Sequence, residues 1–379
     1  MQVEQRRWMQ ATGWVPDGAP SLSGAAQLVL VFGSTPIIRD SELLLEVEAA
    51  YPDAVVMGCS TAGEICGTQV YDDSLVTTAV RFEHTRVKGA LVNVDECAGS
   101  FEAGARLASS LSSDDLAHLF VLSDGIKVNG SELVRGILSR LPSGVTATGG
   151  LSGDGDRFQR TSAFLDCAPE EGQIAALGLY GTRLKIGFGS LGGWDPFGPE
   201  RVITRSLGNV LHELDGQPAL ALYKAYLGEH ADGLPATALL FPLSVRSREG
   251  DREVVRTILS IDEAEQSMRF AGDVPQGAYA RLMKANFDRL VDGANAAAQT
   301  SCEAIGSSSP DLAVLISCVG RKLVLRQRTE DEVEAVRTVL GERTVLTGFY
   351  SYGEICPAAP DANCELHNQT MTITTFSES

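Results

Sequence analysis

The sequence predicts an α/β protein of two related halves, built from repeated βαβ units and mixed sheets. Three observations carry this. A strand, helix, strand pattern occurs three times, each occurrence closes in a glycine-rich segment, and β-rich stretches with partial alternation lie between the occurrences. A strand-helix-strand unit implies a parallel pair with a right-handed crossover.

In the first unit Gln27 to Gly33 is a short apolar run closed by Gly33, Ser34 and Pro36. A helix is expected from Ser41, read as its N-cap, to Ala50, with Pro52 as the stop. The strand Ala54 to Gly58 then runs into GCSTAGEI, Gly58 to Ile65. The second unit has its strand at Leu119 to Leu122, its helix at Ser131 to Leu141 and a strand at Val145 to Thr148 that ends in GGLSGDG, Gly149 to Gly155. The third has its strand at Leu312 to Val319 and its helix at Thr329 to Leu340, with Thr329 and Glu332 at capping-box spacing. Its second strand, Thr344 to Thr347, ends in GFYSYGEI, Gly348 to Ile355. MGCSTAGEIC and TGFYSYGEIC align without a gap, and Asp-Leu-Ala opens the second and third units at Asp115 and Asp311.

Strands are also expected at Ser74 to Phe82, Arg86 to Val94, Phe158 to Leu165, Ile174 to Tyr180, Leu184 to Phe188, Thr237 to Val245, Val254 to Ser260 and Thr370 to Thr375. Tyr279 to Ile305 is Ala-rich and reads as the longest helix, ending near Gly306 and a Ser-Ser-Ser-Pro turn. The division that follows is an N-terminal arm at 1–26, a domain at 27–214 and a domain at 215–379.

The chain has 379 residues, 44% apolar and 21% charged, which is globular composition. Asp and Glu number 49 against 31 Lys and Arg, a formal charge of -18. Such a surface repels phosphate backbones, so no nucleic-acid partner is expected. No apolar run reaches the ~18 residues of a span and no secretion signal opens the chain, so a cytoplasmic protein without membrane insertion is expected. Eight cysteines without a CxxC pair argue for reduced, buried thiols rather than a zinc ribbon or c-type haem.

The chemistry concentrates in the glycine segments. Cys59 or Ser60 could act as a nucleophile, but the run departs from G-x-S-x-G by one position and has no His–Asp partner. Ligand binding is the better reading, because ligands of parallel α/β sheets sit beyond the carboxyl ends of strands. Ser60, Thr61 and Glu64, Ser152 and Asp154, and Ser351, Tyr352 and Glu354 are the candidate binding residues. The first and third of these sets are expected to line one shared cavity. An acid there can pair with an ammonium group and free backbone N–H groups can hold a carboxylate, a combination that suits an amino acid. Glu64 and Glu354 can instead be structural caps. His367, just before the last strand in CELHNQTMTIT, is the candidate axial ligand of a b-type haem.

GCSTAGEI, GGLSGDG, the loop Gly193-Trp194-Asp195-Pro196, ELDGQPALALY (Glu213 to Tyr223), SCVGR (Ser317 to Arg321), GFYSYGEI and HNQT (His367 to Thr370) follow one another in a set order. From about Gln27 to the C-terminus the chain resembles the FIST family, sensory proteins with a FIST N-terminal domain and a FIST_C domain. The resemblance implies an intracellular signal-transduction module for a small ligand, amino acids among them, acting on a partner protein. One branch of the family consists of stand-alone haem proteins that sense nitric oxide and act on histidine kinases. No output module follows in the sequence, so a haem-based nitric oxide sensor with His367 on the iron is the sharpest expectation. A haem-free amino-acid sensor is the alternative, and an enzyme using Cys59 or Ser60 comes after it.

Overall fold

The computed structural model describes residues 1–247, 253–306, 309–359 and 362–379. The expected mixed α/β architecture is present, and its repeat is threefold. In the first unit Leu28–Ser34 runs parallel to Val55–Thr61, with the helix Ser41–Ala50 crossing between them. In the second Leu116–Ser123 is parallel to Thr146–Leu151 across the helix Gly130–Leu138. In the third Leu312–Cys318 is parallel to Val345–Ser351 across Val319–Leu325 and Thr329–Leu340. Each first strand also takes an antiparallel neighbour, Ser74–Arg81, Gln173–Tyr180 and Met371–Glu378 respectively. The inner strands are buried along nearly their whole length, as strands covered on both faces must be.

The units are tied by exchanged strands. Glu64–Cys66 leaves the first unit and pairs with Val345–Ser351 of the third. Gly353–Pro357 leaves the third and pairs with Thr146–Leu151 of the second. Ala163–Leu165 leaves the second and pairs with Val55–Thr61 of the first. The exchange closes a circle, so each sheet depends on sequence more than a hundred residues away. Leu184–Leu191 likewise pairs with Met371–Glu378.

An eight-stranded antiparallel sheet from Trp194 to Ala285 is inserted before the third unit, with its own apolar core around Leu220, Tyr223, Phe270 and Leu282. The turn at Asp215 and Gly216 that divides the expected domains lies inside this sheet, between Val210–Leu214 and Gln217–Pro218.

Several local readings change. Residues expected as an N-terminal arm form the strand Gln2–Met9, paired along its length with Ser74–Arg81. The expected helix at 279–305 is a strand, Tyr279–Ala285, followed by the helix Phe287–Ile305. Asn286 makes the break, its side chain accepting from the N–H of Arg289 as an N-cap. Asp40, not Ser41, caps the helix Ser41–Ala50. Thr329 is the first residue of its helix rather than a cap, and its hydroxyl donates to the carbonyl of Arg326. Residues 237–245 hold a 3₁₀ turn, Ala236–Leu240, before the strand Leu243–Arg246. Gly306 ends its helix in the left-handed conformation as expected, while the turn expected after it begins outside the described residues. No helix among the described residues is long and apolar enough to cross a membrane.

Candidate functional site

The three glycine segments meet. Gly58, Gly149 and Gly348 occupy one register in their units, opposite Val31, Val121 and Leu315. Two and four residues further on, the backbones lock in a ring. The N–H of Ala62 donates to the carbonyl of Tyr350 at 2.8 Å, that of Gly153 to Ser60 at 2.9 Å and that of Tyr352 to Leu151 at 3.2 Å. Ala62, Gly153 and Tyr352 are register equivalents, as are Ser60, Leu151 and Tyr350, so these are one hydrogen bond repeated around a pseudo-threefold axis. The expected juxtaposition of GCSTAGEI and GFYSYGEI is therefore present, with GGLSGDG as its third member.

The side chains of the ring are buried and hydrogen-bonded to one another or to the backbone. Glu64 and Glu354 are both fully buried. Glu64 accepts from the hydroxyl of Thr61, three residues before it, and from the N–H (3.3 Å) and hydroxyl (2.7 Å) of Ser74. Glu354 repeats this with the hydroxyl of Ser351 (2.6 Å) and the N–H (3.2 Å) and hydroxyl (2.9 Å) of Thr370. Both acids thus tie a ring segment to the strand that follows it. Asp154 sits one register earlier, level with Gly63 and Gly353, and accepts from Thr35, Arg157 and the N–H groups of Gln159 and Arg160. Ser152 donates to the carbonyl of Ser123 at 2.5 Å, and the oxygen of Ser60 accepts the N–H of Ser162 at 3.0 Å. Tyr352 stacks on Phe158 and donates to the carbonyl of Gly155. Cys59 is enclosed in an apolar cluster, and burial, then the charge of Glu64, pushes its thiol well up. That environment suppresses the thiolate a nucleophile needs.

Burial raises Glu64 from the usual 4.5 to about 7 and Glu354 to about 8, with the hydroxyl donors opposing the shift. A folded-state value above the unfolded one means that the native state holds the proton more tightly. The stabilisation is complete below about 4.5 and is lost as pH rises through 7 and 8. His118 works in the opposite direction: burial drives it down to about 3, so its contribution grows as pH rises toward its ordinary 6.5. The effect of the two acids is therefore read as a difference. Relative to the Glu64→Gln/Glu354→Gln variant, the wild type is expected to lose up to ~1.4 kcal/mol per pH unit per carboxyl between pH 5 and 8 in urea titrations. Parallel curves for the two proteins would refute the assignment.

Beneath the ring lies an ion pair that no spacing announced. Arg321 and Glu332 are both fully buried and meet at 2.7 Å. Glu332 also accepts from Tyr350 (2.7 Å) and Ser317 (2.9 Å), and Arg321 donates to the carbonyls of Leu290 (2.7 Å) and Gly192 (3.3 Å). Trp194 donates to the carbonyl of Gln369 at 2.9 Å, and the Gln369 amide reaches Leu239 and Thr257. SCVGR, HNQT and the Gly-Trp segment, which opens the strand Trp194–Leu207 instead of forming the expected loop, are thus one junction joining the third unit to the inserted sheet.

A cavity of about 330 Å³ lies between the second unit, the inserted sheet and the hairpin Cys364–His367. Ser131 and Arg135 come from the helix Gly130–Leu138, Arg256 and Asp273 from the inserted sheet and its loops, and Glu365 from the hairpin. Arg256 is buried, its Nε donating to the carbonyl of Asp273 at 3.1 Å and one terminal nitrogen to that of Leu366 at 2.9 Å. Burial lowers its pKa. Arg135 pairs with Asp273 at 2.9 Å. None of the sequence-predicted site residues lines this cavity, and its residues lie too far apart in sequence to form a motif.

Family models match nearly the whole chain, a FIST N domain at residues 27–217 and a FIST C domain at 219–357. The chain belongs to the FIST family. No curated protein matches it. Among solved structures, one titled as cyanuic acid hydrolase from A. caulinodans aligns at 11% identity over 77% of this chain and 99% of that one. Its TM-score is 0.18, a likeness too slight to bear on fold or function. FIST domains mark a sensory, signal-transducing protein. The 330 Å³ cavity takes its walls from both FIST domains.

His367 of this FIST protein is buried, opposite Glu354 in the hairpin. Its Nε2 lies 3.0 Å from the carbonyl oxygen of Cys356 and 3.9 Å from Glu365. Cys364, at metal-ligand spacing in sequence, donates its thiol to the carbonyl of Ala147. An axial ligand needs one open nitrogen and a space wide enough for the macrocycle, yet the neighbouring cavity is bounded by Cys364, Glu365 and Leu366 and not by His367. The residues as placed do not fit a haem. Among the described residues no group of three or more His, Cys, Asp or Glu side chains is placed to hold a metal ion.

Proposed function

We propose that this FIST protein senses a free amino acid or similar small zwitterion in the cavity between its two domains and relays binding to a separate signalling protein. The charge pattern of the wall carries the reading: Arg135 and Arg256 face a carboxylate, Asp273 and Glu365 an ammonium group. The volume suits a compact ligand, near the lower end of the ~300–1,000 Å³ range of small-molecule sites. Walls from three elements also give a ligand purchase on the relative positions of the second unit, the inserted sheet and the closing hairpin. The ring acids Glu64 and Glu354 then serve as fasteners of the frame rather than as ligand contacts. The family resemblance makes a histidine kinase one class of partner for the relay.

Calorimetry against the proteinogenic amino acids tests this. At least one should bind, and both Arg256→Met and the more exposed Arg135→Gln should weaken it about tenfold or more, the loss of one charge-assisted contact. Binding that neither change affects would place the ligand elsewhere. A Soret band formed on adding haem and abolished in His367→Ala would replace this reading with the haem one.

A further inference from the structure

A second cavity, of about 760 Å³, opens between the third unit and the inserted sheet. Its floor is apolar, with Phe241 from the turn before the strand Leu243–Arg246 and Leu323 and Leu325 from the helix Val319–Leu325. Phe287 contributes an aromatic ring at its edge that is 48% exposed. The rim is cationic: Lys284, Arg326 and Arg328 line it, and no Asp or Glu does among the described residues. Arg328 is shared between Asp288 and Asp331. Arg326 makes no ion pair among the described residues, and Lys284 faces Asp195 across the strand pair, its charge helping to lower that carboxyl's pKa without closing to an ion pair. The rim thus sets positive charge beside an apolar trough, in a chain whose net charge is -18.

Arg326 adds an independent observation. It ends its helix at φ +51°, ψ −112°, a conformation in which glycine is the residue without a penalty. Backbone strain at a non-glycine residue persists where the surrounding structure over-determines it, and ligand clamps are among such places. Here it sets a guanidinium on the cavity rim directly after Leu325 of the floor.

We infer that this cavity is a second ligand site, for an amphipathic carboxylate: an apolar body on Phe241, Phe287, Leu323 and Leu325, with its carboxylate on Arg326 and Lys284. The site is separate from the zwitterion cavity. It abuts the helix whose Arg321 and Lys322 reach the buried ion pair and the carbonyl of Ala62 in the ring. An occupant there would touch the element that joins the third unit to the first.

The probes are octanoate and, as its uncharged counterpart, octanol, titrated into the full chain by calorimetry. The indole N–H resonance of Trp194, assigned with Trp194→Phe, locates the site, because Trp194 packs with Val324 and Leu325. Octanoate should bind saturably and shift that resonance, and octanol should bind about tenfold or more weakly. Arg326→Gly removes the cation and relieves the backbone, so it should weaken octanoate about tenfold while leaving the melting temperature unchanged or higher. Lys284→Gln should weaken octanoate in the same direction. The inference is overturned if octanoate shows no saturable binding, or if it binds equally well to the wild type and both variants.

Discussion

Glu332→Ala is expected to destabilise the protein by about 3–5 kcal/mol, the cost of leaving one partner of a buried ion pair without the other. Arg321 is fully buried, and Glu332 supplies the charge opposite it. Its other acceptors are the carbonyls of Leu290 and Gly192, which satisfy N–H groups but do not neutralise the cation. The substitution also removes the acceptor of the Tyr350 and Ser317 hydroxyls, both buried. Urea denaturation of wild type and variant measures the difference. The double variant Arg321→Met/Glu332→Met is expected to recover much of the loss, because well-packed apolar replacements of a buried pair are often close to neutral. A double variant as unstable as the single one would mean that the pair matters through its backbone and hydroxyl contacts instead of through charge.

Glu332 also shows where sequence reading reached its limit. At Thr-x-x-Glu spacing it resembles a capping box, and the helix does begin there. Which way the side chain turns depends on Arg321, eleven residues earlier on another helix, and periodicity contains no such term. Tyr279–Ala285 failed for a related reason: alanine suits a helix, but Trp194–Leu207 on one side and Leu243–Arg246 on the other offer ladder partners. The three βαβ units were legible because apolar runs, breakers and glycine segments are local and recur. The cyclic exchange of strands was not, since Glu64–Cys66 finds its partner some 280 residues downstream. The site divides in the same way. The meeting of GCSTAGEI with GFYSYGEI followed from their alignment. Their hydrogen bonding did not, because the ring closes by backbone contact and the hydroxyls of Thr61 and Ser351 turn onto Glu64 and Glu354. Arg135, Arg256, Asp273 and Glu365 left no joint signal, being ordinary surface-type residues on four separate segments.

The ring itself rests on glycine, and Gly348→Ala is expected to abolish folding or to cost at least ~4 kcal/mol, at the far end of what point substitutions do. A Cβ at Gly348 would lie 1.8 Å from the carbonyl oxygen of Leu315 and 2.7 Å from its carbon. Those atoms belong to the paired parallel strand, so relief requires separating Leu312–Cys318 from Val345–Ser351 in the middle of a buried sheet. Gly348 also has φ +153°, which L side chains rarely adopt. Gly149 repeats both features, with φ +153° and a Cβ 1.9 Å from the carbonyl oxygen of Val121. Gly67→Ala separates the two causes, because Gly67 has φ +62° and open space around it. Its cost should be only ~1–2 kcal/mol, that of the left-handed backbone alone. Soluble expression and urea midpoints of Gly348→Ala, Gly149→Ala and Gly67→Ala give the comparison. If Gly348→Ala were no worse than Gly67→Ala, the two parallel strands would be free to part, and the threefold ring could not be the rigid frame that holds both cavities in place.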